Sequence, residues 1–134
     1  MNLVYELPEA WQYGELREAA GLSAVAASTA ETALSRSLFG ICVKDESGQL
    51  QGMGRLIGDG ACHYQIVDLI VRPNSVDLPI AQRILQELTA YVEQNAPEGA
   101  SFFVISDLQM LKTYQKSGFE LIYPDYYGMS RKLK

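Results

Sequence analysis

The chain has 134 residues, 48% hydrophobic and 20% charged, with 16 acids against 11 bases and a net charge of −5. That length suits one domain, 1–134, with a core large enough to stand without staples, and the composition excludes a disordered polymer. No apolar run approaches the roughly 20 residues of a membrane helix, and the acidic balance argues against binding nucleic acid through a basic face.

The start, MNLVYELPEAW, has neither a basic n-region nor an apolar h-region, so no secretory signal is expected. Cys42 and Cys62 share no metal or redox spacing and both fall in strand-like stretches. They read as small buried hydrophobes in a reducing, cytoplasmic compartment, with no metal site.

Residues 3–6 predict a short strand. Pro8 suits the first turn of a helix, where a missing N–H costs nothing, and residues 9–20 carry Trp11, Leu16, Ala19 and Ala20 before the Gly21 stop. Ser23 predicts the cap of a second, alanine-rich helix ending near Ser35. Residues 38–44 and 50–57 read as strands around the turn Asp45-Glu46-Ser47-Gly48, and Gly58-Asp59-Gly60 is a hairpin signal leading into a third strand over 62–71. Residues 79–95 have the clearest helical period, with Ile80, Ala81, Ile84, Leu85, Leu88, Tyr91 and Val92 on one face.

A buried strand is expected over 101–105, then a helix over 108–117 capped by Asp107 and closed by Gly118 with Phe119 folding back. Residues 119–123 and 127–133 predict two final strands. The order is β-α-α-β-β-β-α-β-α-β-β. This is an α+β domain with a mixed, mostly antiparallel twisted sheet of about seven strands and helices on both faces. The long helix joins two strands expected to run parallel.

Val71-Arg72-Pro73 entering the long helix, and Thr113-Tyr114-Gln115-Lys116-Ser117-Gly118-Phe119 leaving the last one, resemble the GCN5-related N-acetyltransferase (GNAT) family. The resemblance spans the whole chain. Gly52-Met53-Gly54-Arg55-Leu56 with Gly58-Asp59-Gly60 resembles a branch of small bacterial members. The resemblance implies an acetyl-CoA-dependent N-acetyltransferase acting on a primary amine of a small molecule or peptide, by direct attack in a ternary complex. It also implies a homodimer, and a cofactor cleft where the strands 62–71 and 101–105 splay apart.

The family's pyrophosphate loop falls on Val76-Asp77-Leu78-Pro79-Ile80-Ala81, where only Ala81 keeps the pattern. Pro79 removes one N–H and Asp77 sets a negative charge beside an anion, while the N–H groups of Leu78, Ile80 and Ala81 remain as donors. The alternative that this loop keeps open is a degenerate fold that binds CoA weakly or not at all and serves as a sensor or interaction module. The resemblance places the pantetheine arm along the peptide groups of Leu69 and Val71, with the Leu69 N–H on the thioester carbonyl. It makes Tyr114 the general acid toward the leaving thiolate. Asp107 stands where many members carry a cofactor-contacting Asn, and its carboxylate also suits a helix cap.

Asp68 is the candidate base, grouped by alternation with Tyr64, Ile66 and Ile70. The lone histidine, His63, reads as structural. A two-residue turn at Asp59-Gly60 sets Arg55 opposite Tyr64, either stacked on the ring or presented to an acceptor's carboxylate. Tyr123, Tyr126 and Tyr127 form a patch suited to a pocket rim or a dimer contact.

Overall fold

The structure, a computed structural model, describes residues 1–73 and 79–134. Within them the chain runs β1 (Asn2–Val4), α1 (Ala10–Ala19), α2 (Ala27–Ser35), β2 (Phe39–Lys44), β3 (Leu50–Gly58), β4 (His63–Val71), α3 (Ile80–Asn95), β5 (Ser101–Val104) and α4 (Leu111–Lys116). The strands form one sheet in the order β1-β2-β3-β4-β5. Every pairing is antiparallel except β4–β5, the parallel pair that α3 connects.

Alternation along β2 shows why the fold has two cores. Ile41 and Val43 point to one face, where Ile80, Ile84, Leu85, Leu88 and Val92 of α3 cover them. Cys42, between them, points to the other face and packs with Met53, Leu50 and the α1–α2 pair through Tyr13, Leu16, Ala30 and Leu34. Burial of these side chains, at about 1.5–3 kcal/mol each, is what holds both helical layers to the sheet. The glycines of β3 set how closely α3 approaches. A Cβ on Gly52 would lie 2.8 Å from Ile80 Cγ2, and one on Gly54 would lie 2.7 Å from Ile84 Cγ2 and 3.0 Å from Leu88 Cδ1. The helix lies in the groove that two missing side chains leave.

The periodic helix is found almost where its pattern predicts, and Phe119 closes α4 as expected. Its N–H donates to the Tyr114 carbonyl at 3.1 Å, Gly118 takes φ 96°, and the Phe119 ring packs edge-on against Tyr114 and Phe102. Three expectations are corrected. The second helix starts at Ala27 with no side-chain cap, so Ser23 does not begin it. The β3–β4 connection spans 59–62 and not two residues, because the Asp59 carboxylate accepts the N–H groups of Ala61, Cys62 and His63 and folds the loop around itself. Cys42 is buried, but Cys62 falls in this loop and is exposed.

The sheet has five strands among the described residues, not seven. Residues 119–134 contain no strand and are mostly exposed. A β-type pattern becomes a strand only by pairing with another strand, and among the described residues this segment pairs with none.

Candidate functional site

The site is made by a break in β4. Across β3 and β4, Met53 faces Ile70 and Arg55 faces Val67, so one β3 residue, Gly54, stands opposite two of β4. The extra residue is Asp68, which adopts φ 53°. A bulge of this kind reverses the side-chain alternation beyond it. Tyr64 and Ile66 therefore face α3, whereas Ile70 faces α1 and α2. The grouping of Asp68 with Tyr64 and Ile66 is corrected accordingly, since the bulge turns Asp68 toward α1.

Four groups gather there. The Asp68 carboxylate accepts the Tyr13 hydroxyl at 2.9 Å and Arg55 Nε at 2.8 Å, both on Oδ2, while Arg17 lies 3.5 Å from Oδ1. Arg17 also stacks over the Tyr13 ring at 5.6 Å. Burial, with the Asp68 charge next, raises the Tyr13 phenol above its ordinary value. Arg55 is not opposite Tyr64. It points to Asp68 and also donates to Ser37 Oγ, while the Tyr64 hydroxyl donates to the Gly60 carbonyl. Tyr13 and Arg17 are site residues that the sequence reading missed. Their i, i+4 spacing on α1 was the available signal.

The bulge also coincides with the parting of β4 from β5. Their pairing runs from His63–Ser101 to Ile66–Val104 and then stops. Beyond that point the strands enclose a cavity of about 290 Å3, lined by Val67, Asp68 and Leu69 on one side, by Ile105, Ser106 and Asp107 on the other, and by Arg17 and Tyr114. Tyr114 is 5% exposed. Burial, with the Asp107 charge next, pushes its phenol up to about 12. No described residue accepts a hydrogen bond from the Tyr114 hydroxyl. Asp107 Oδ1 accepts the Met110 N–H at 2.9 Å and so closes the turn before α4; the expected cap of a helix over 108–117 is corrected, because α4 begins at Leu111 with Met110 as its N-cap and no side-chain cap.

The structure thus brings Tyr114, Asp68, Leu69 and Asp107 together, and Arg55 reaches the cavity only through Asp68. Val71 continues β4 past the cavity, and its end is pinned by Arg72, which donates to both Glu15 carboxylate oxygens and to the Leu50 carbonyl. Ile80 and Ala81 open α3, where first-turn N–H groups have no helical acceptor. The Ile80 side chain itself is in the core. Val76, Asp77 and Leu78 lie outside the described residues. A wider recess of about 590 Å3, along residues 1–5 and beside Arg83 and Glu87, holds none of these groups. Among the described residues no helix is long and apolar enough to cross a membrane, and no group of His, Cys, Asp and Glu is placed to hold a metal ion.

Comparison with known proteins bears on this arrangement. The family description "Acetyltransferase (GNAT) domain" matches residues 12–129. A probable acetyltransferase of unknown function from meticillin-resistant Staphylococcus aureus is 32% identical, with 98% of each chain covered and a TM-score of 0.90. A GNAT family protein from Streptococcus pneumoniae is 22% identical over 99% of this chain and 98% of its own, with a TM-score of 0.79. A GNAT N-acetyltransferase from Escherichia coli, solved with CoA, is 17% identical over 90% of this chain and 68% of its own, at 0.65. Among curated proteins none matches. With a family match over most of its length and a cavity where β4 and β5 part, the chain belongs to the GNAT acetyltransferase family.

Proposed function

We propose that the protein transfers an acetyl group from acetyl-CoA to a primary amine of a small molecule, in a ternary complex, with Tyr114 as general acid. The observation that carries this reading is a buried tyrosine, its phenol pushed up to about 12, lining the cavity between two parted strands. Acetyl-CoA, the cofactor of this family, supplies an activated acetyl thioester. The cavity suits its narrow arm, because past Ile66 the β4 backbone no longer pairs with β5 and its peptide groups at Leu69 and Val71 are available to an extended ligand. The free N–H groups of Ile80 and Ala81 at the start of α3 favour an anion such as a pyrophosphate.

Tyr114 keeps its proton at every working pH and offers it from Oη to a group in the cavity. Asp68 accepts hydrogen bonds on Oδ2, which leaves Oδ1, near Arg17, to take up through water the proton an ammonium must lose. Leu69 N–H donates to the oxygen on which charge develops. The site residues act by position: the phenol comes from α4, and the carboxylate and amide from adjacent residues of β4, onto one cavity.

The test combines binding and turnover. CoA retained by the purified protein is read by mass spectrometry, and thiol release from acetyl-CoA is followed over a panel of amines. Retained CoA with amine-dependent thiol release is the expected result. Absence of both overturns the reading.

A further inference from the structure

Arg17, in the last turn of α1, lines the cavity that holds Tyr114 and Leu69. Its guanidinium is anchored from behind. Nε donates to the Ser23 carbonyl at 2.9 Å, and Cζ lies over the Tyr13 ring, 5.6 Å from the centroid. Toward Asp68 it stops short, since Nη1 stands 3.5 Å from Oδ1, too far for a good hydrogen bond. Among the described residues the N–H groups on Nη1 and Nη2 have no hydrogen-bond acceptor. Arg55, on the other oxygen of the same carboxylate, is turned inward: Nε donates to Asp68 Oδ2, and Nη1 to Ser37 Oγ and the Ala33 carbonyl. The cation offered to a carboxylate of the acceptor, expected of Arg55, is therefore Arg17.

Asp68 and Arg17 stand side by side at one end of the cavity, mostly out of water at 14% and 16% exposure. Such a pair is complementary to a small molecule whose own cation and anion are equally close. No second place in the cavity favours an anion, because the other charged side chain in its wall is Asp107 and the chain as a whole carries −5.

We infer that the acceptor is an α-amino acid, held with its carboxylate on the open Nη groups of Arg17 and its amino group beside Asp68 Oδ1. This rests on the acetyltransferase reading and names its substrate class. An α-amino acid carries both charges on one carbon, at a spacing like that of Nη1 and Oδ1. An uncharged amine would leave the Arg17 donors unpaired in a cavity from which substrate has displaced water, and a site of this kind rejects it. Leu69 follows Asp68 directly, so an amino group at Oδ1 is also near the acetyl carbon whose oxygen Leu69 N–H receives. The nitrogen, having given its proton toward Asp68, bonds to that carbon. The C–S bond breaks, the thiolate takes the Tyr114 proton, and an N-acetyl amino acid and CoA leave.

The test pairs each primary-amine L-amino acid of the standard set with its own carboxamide, in thiol release from acetyl-CoA. At least one acid is expected to exceed its carboxamide about tenfold or more in kcat/KM. Arg17→Gln should erase that ratio by weakening the acid alone, and Arg17→Lys should keep part of it. Equal losses on acid and carboxamide make Arg17 structural and overturn the inference, as does a parent that uses both alike. Should the variants fail to fold, the parent's ratio decides by itself. Calorimetric titration of the same amino acids into protein saturated with CoA separates binding from transfer. Arg17-dependent binding without thiol release from any amine ends the acetyltransferase reading and keeps the amino-acid site. Thiol release from uncharged amines, with no preference for acids, does the reverse, and neither binding nor release overturns both.

Discussion

Arg55 Nε donates to Asp68 Oδ2 at 2.8 Å and so ties β3 to the one residue at which β4 loses its alternation. The ion pair and the bulge are linked. A residue with φ 53° tolerates few side chains, and Asp is one of them. Both side chains are mostly out of water, at 11% and 14% exposure.

Removing the charge at Asp68 should therefore cost stability as well as activity. Asp68→Asn keeps the size and the tolerance for positive φ but leaves Arg55 and Arg17 without their anion, at about 1–3 kcal/mol. Arg55→Ala and the double variant complete the cycle, and a coupling of about 1 kcal/mol or more in urea unfolding is expected. Turnover on a confirmed amine should fall further in Asp68→Asn than in Arg55→Ala, because only the former replaces the proton-accepting carboxylate with an amide. Equal losses would make Asp68 a scaffold for the bulge and nothing else.

Tyr114→Phe should lower turnover by roughly 10–1000-fold and leave CoA affinity within a few-fold, since a proton donor acts only in the transition state. With the folded phenol at about 12 against an ordinary 10.0, the group stays protonated through the usual assay range. The raised pKa contributes to stability fully below 10.0, and the contribution is lost as pH climbs toward 12. The parent's rate should show no alkaline limb from this group below about pH 11. A limb near pH 10 that vanishes in the Phe variant would place the phenol in water, not in the cavity.

Gly54→Val tests the contact between sheet and helix. Its Cβ would fall 2.7 Å from Ile84 Cγ2, and both Ile84 and Leu88 are fully buried, so neither can move aside cheaply. A loss of about 1–3 kcal/mol is expected, read as a lower thermal midpoint. Gly14→Val, where nothing lies within 4 Å, controls for the change of residue and should change stability only by helix propensity, a few tenths of a kcal/mol in favour of Val. A Gly54 variant as stable as the parent would mean that α3 is free to lift.

The two thiols should separate cleanly. Burial pushes the Cys42 thiol up to about 12, and its Sγ contacts the Glu6 carbonyl at 3.2 Å. Cys62 is exposed in the β3–β4 loop. A disulfide reagent at pH 8 should titrate one thiol in the folded protein and a second only in denaturant. Rapid reaction of both would show that the β2 strand opens readily.

Local signals in the sequence already carried much of the fold. The period of Ile80, Ile84, Leu85 and Leu88 announces a helix covering a sheet, because each of those side chains has only that face on which to leave water. Gly118-Phe119 announces the end of α4, because a positive φ and a returning aromatic are properties of adjacent residues. Tyr114 and Leu69 could be named as neighbours of one cleft only through family resemblance, since they are far apart in the chain.

Tertiary contact decided the rest. Alternation along β4 is a local rule, and it fails at Asp68 because the partner strand offers one residue where β4 has two. No pattern within β4 records that mismatch. The same extra residue carries Asp68 away from Tyr64 and toward Tyr13 and Arg17, whose distance in sequence hid them from the site. Residues 119–123 and 127–133 have the composition of strands, yet a strand exists only where another strand pairs with it, and among the described residues none pairs with either stretch.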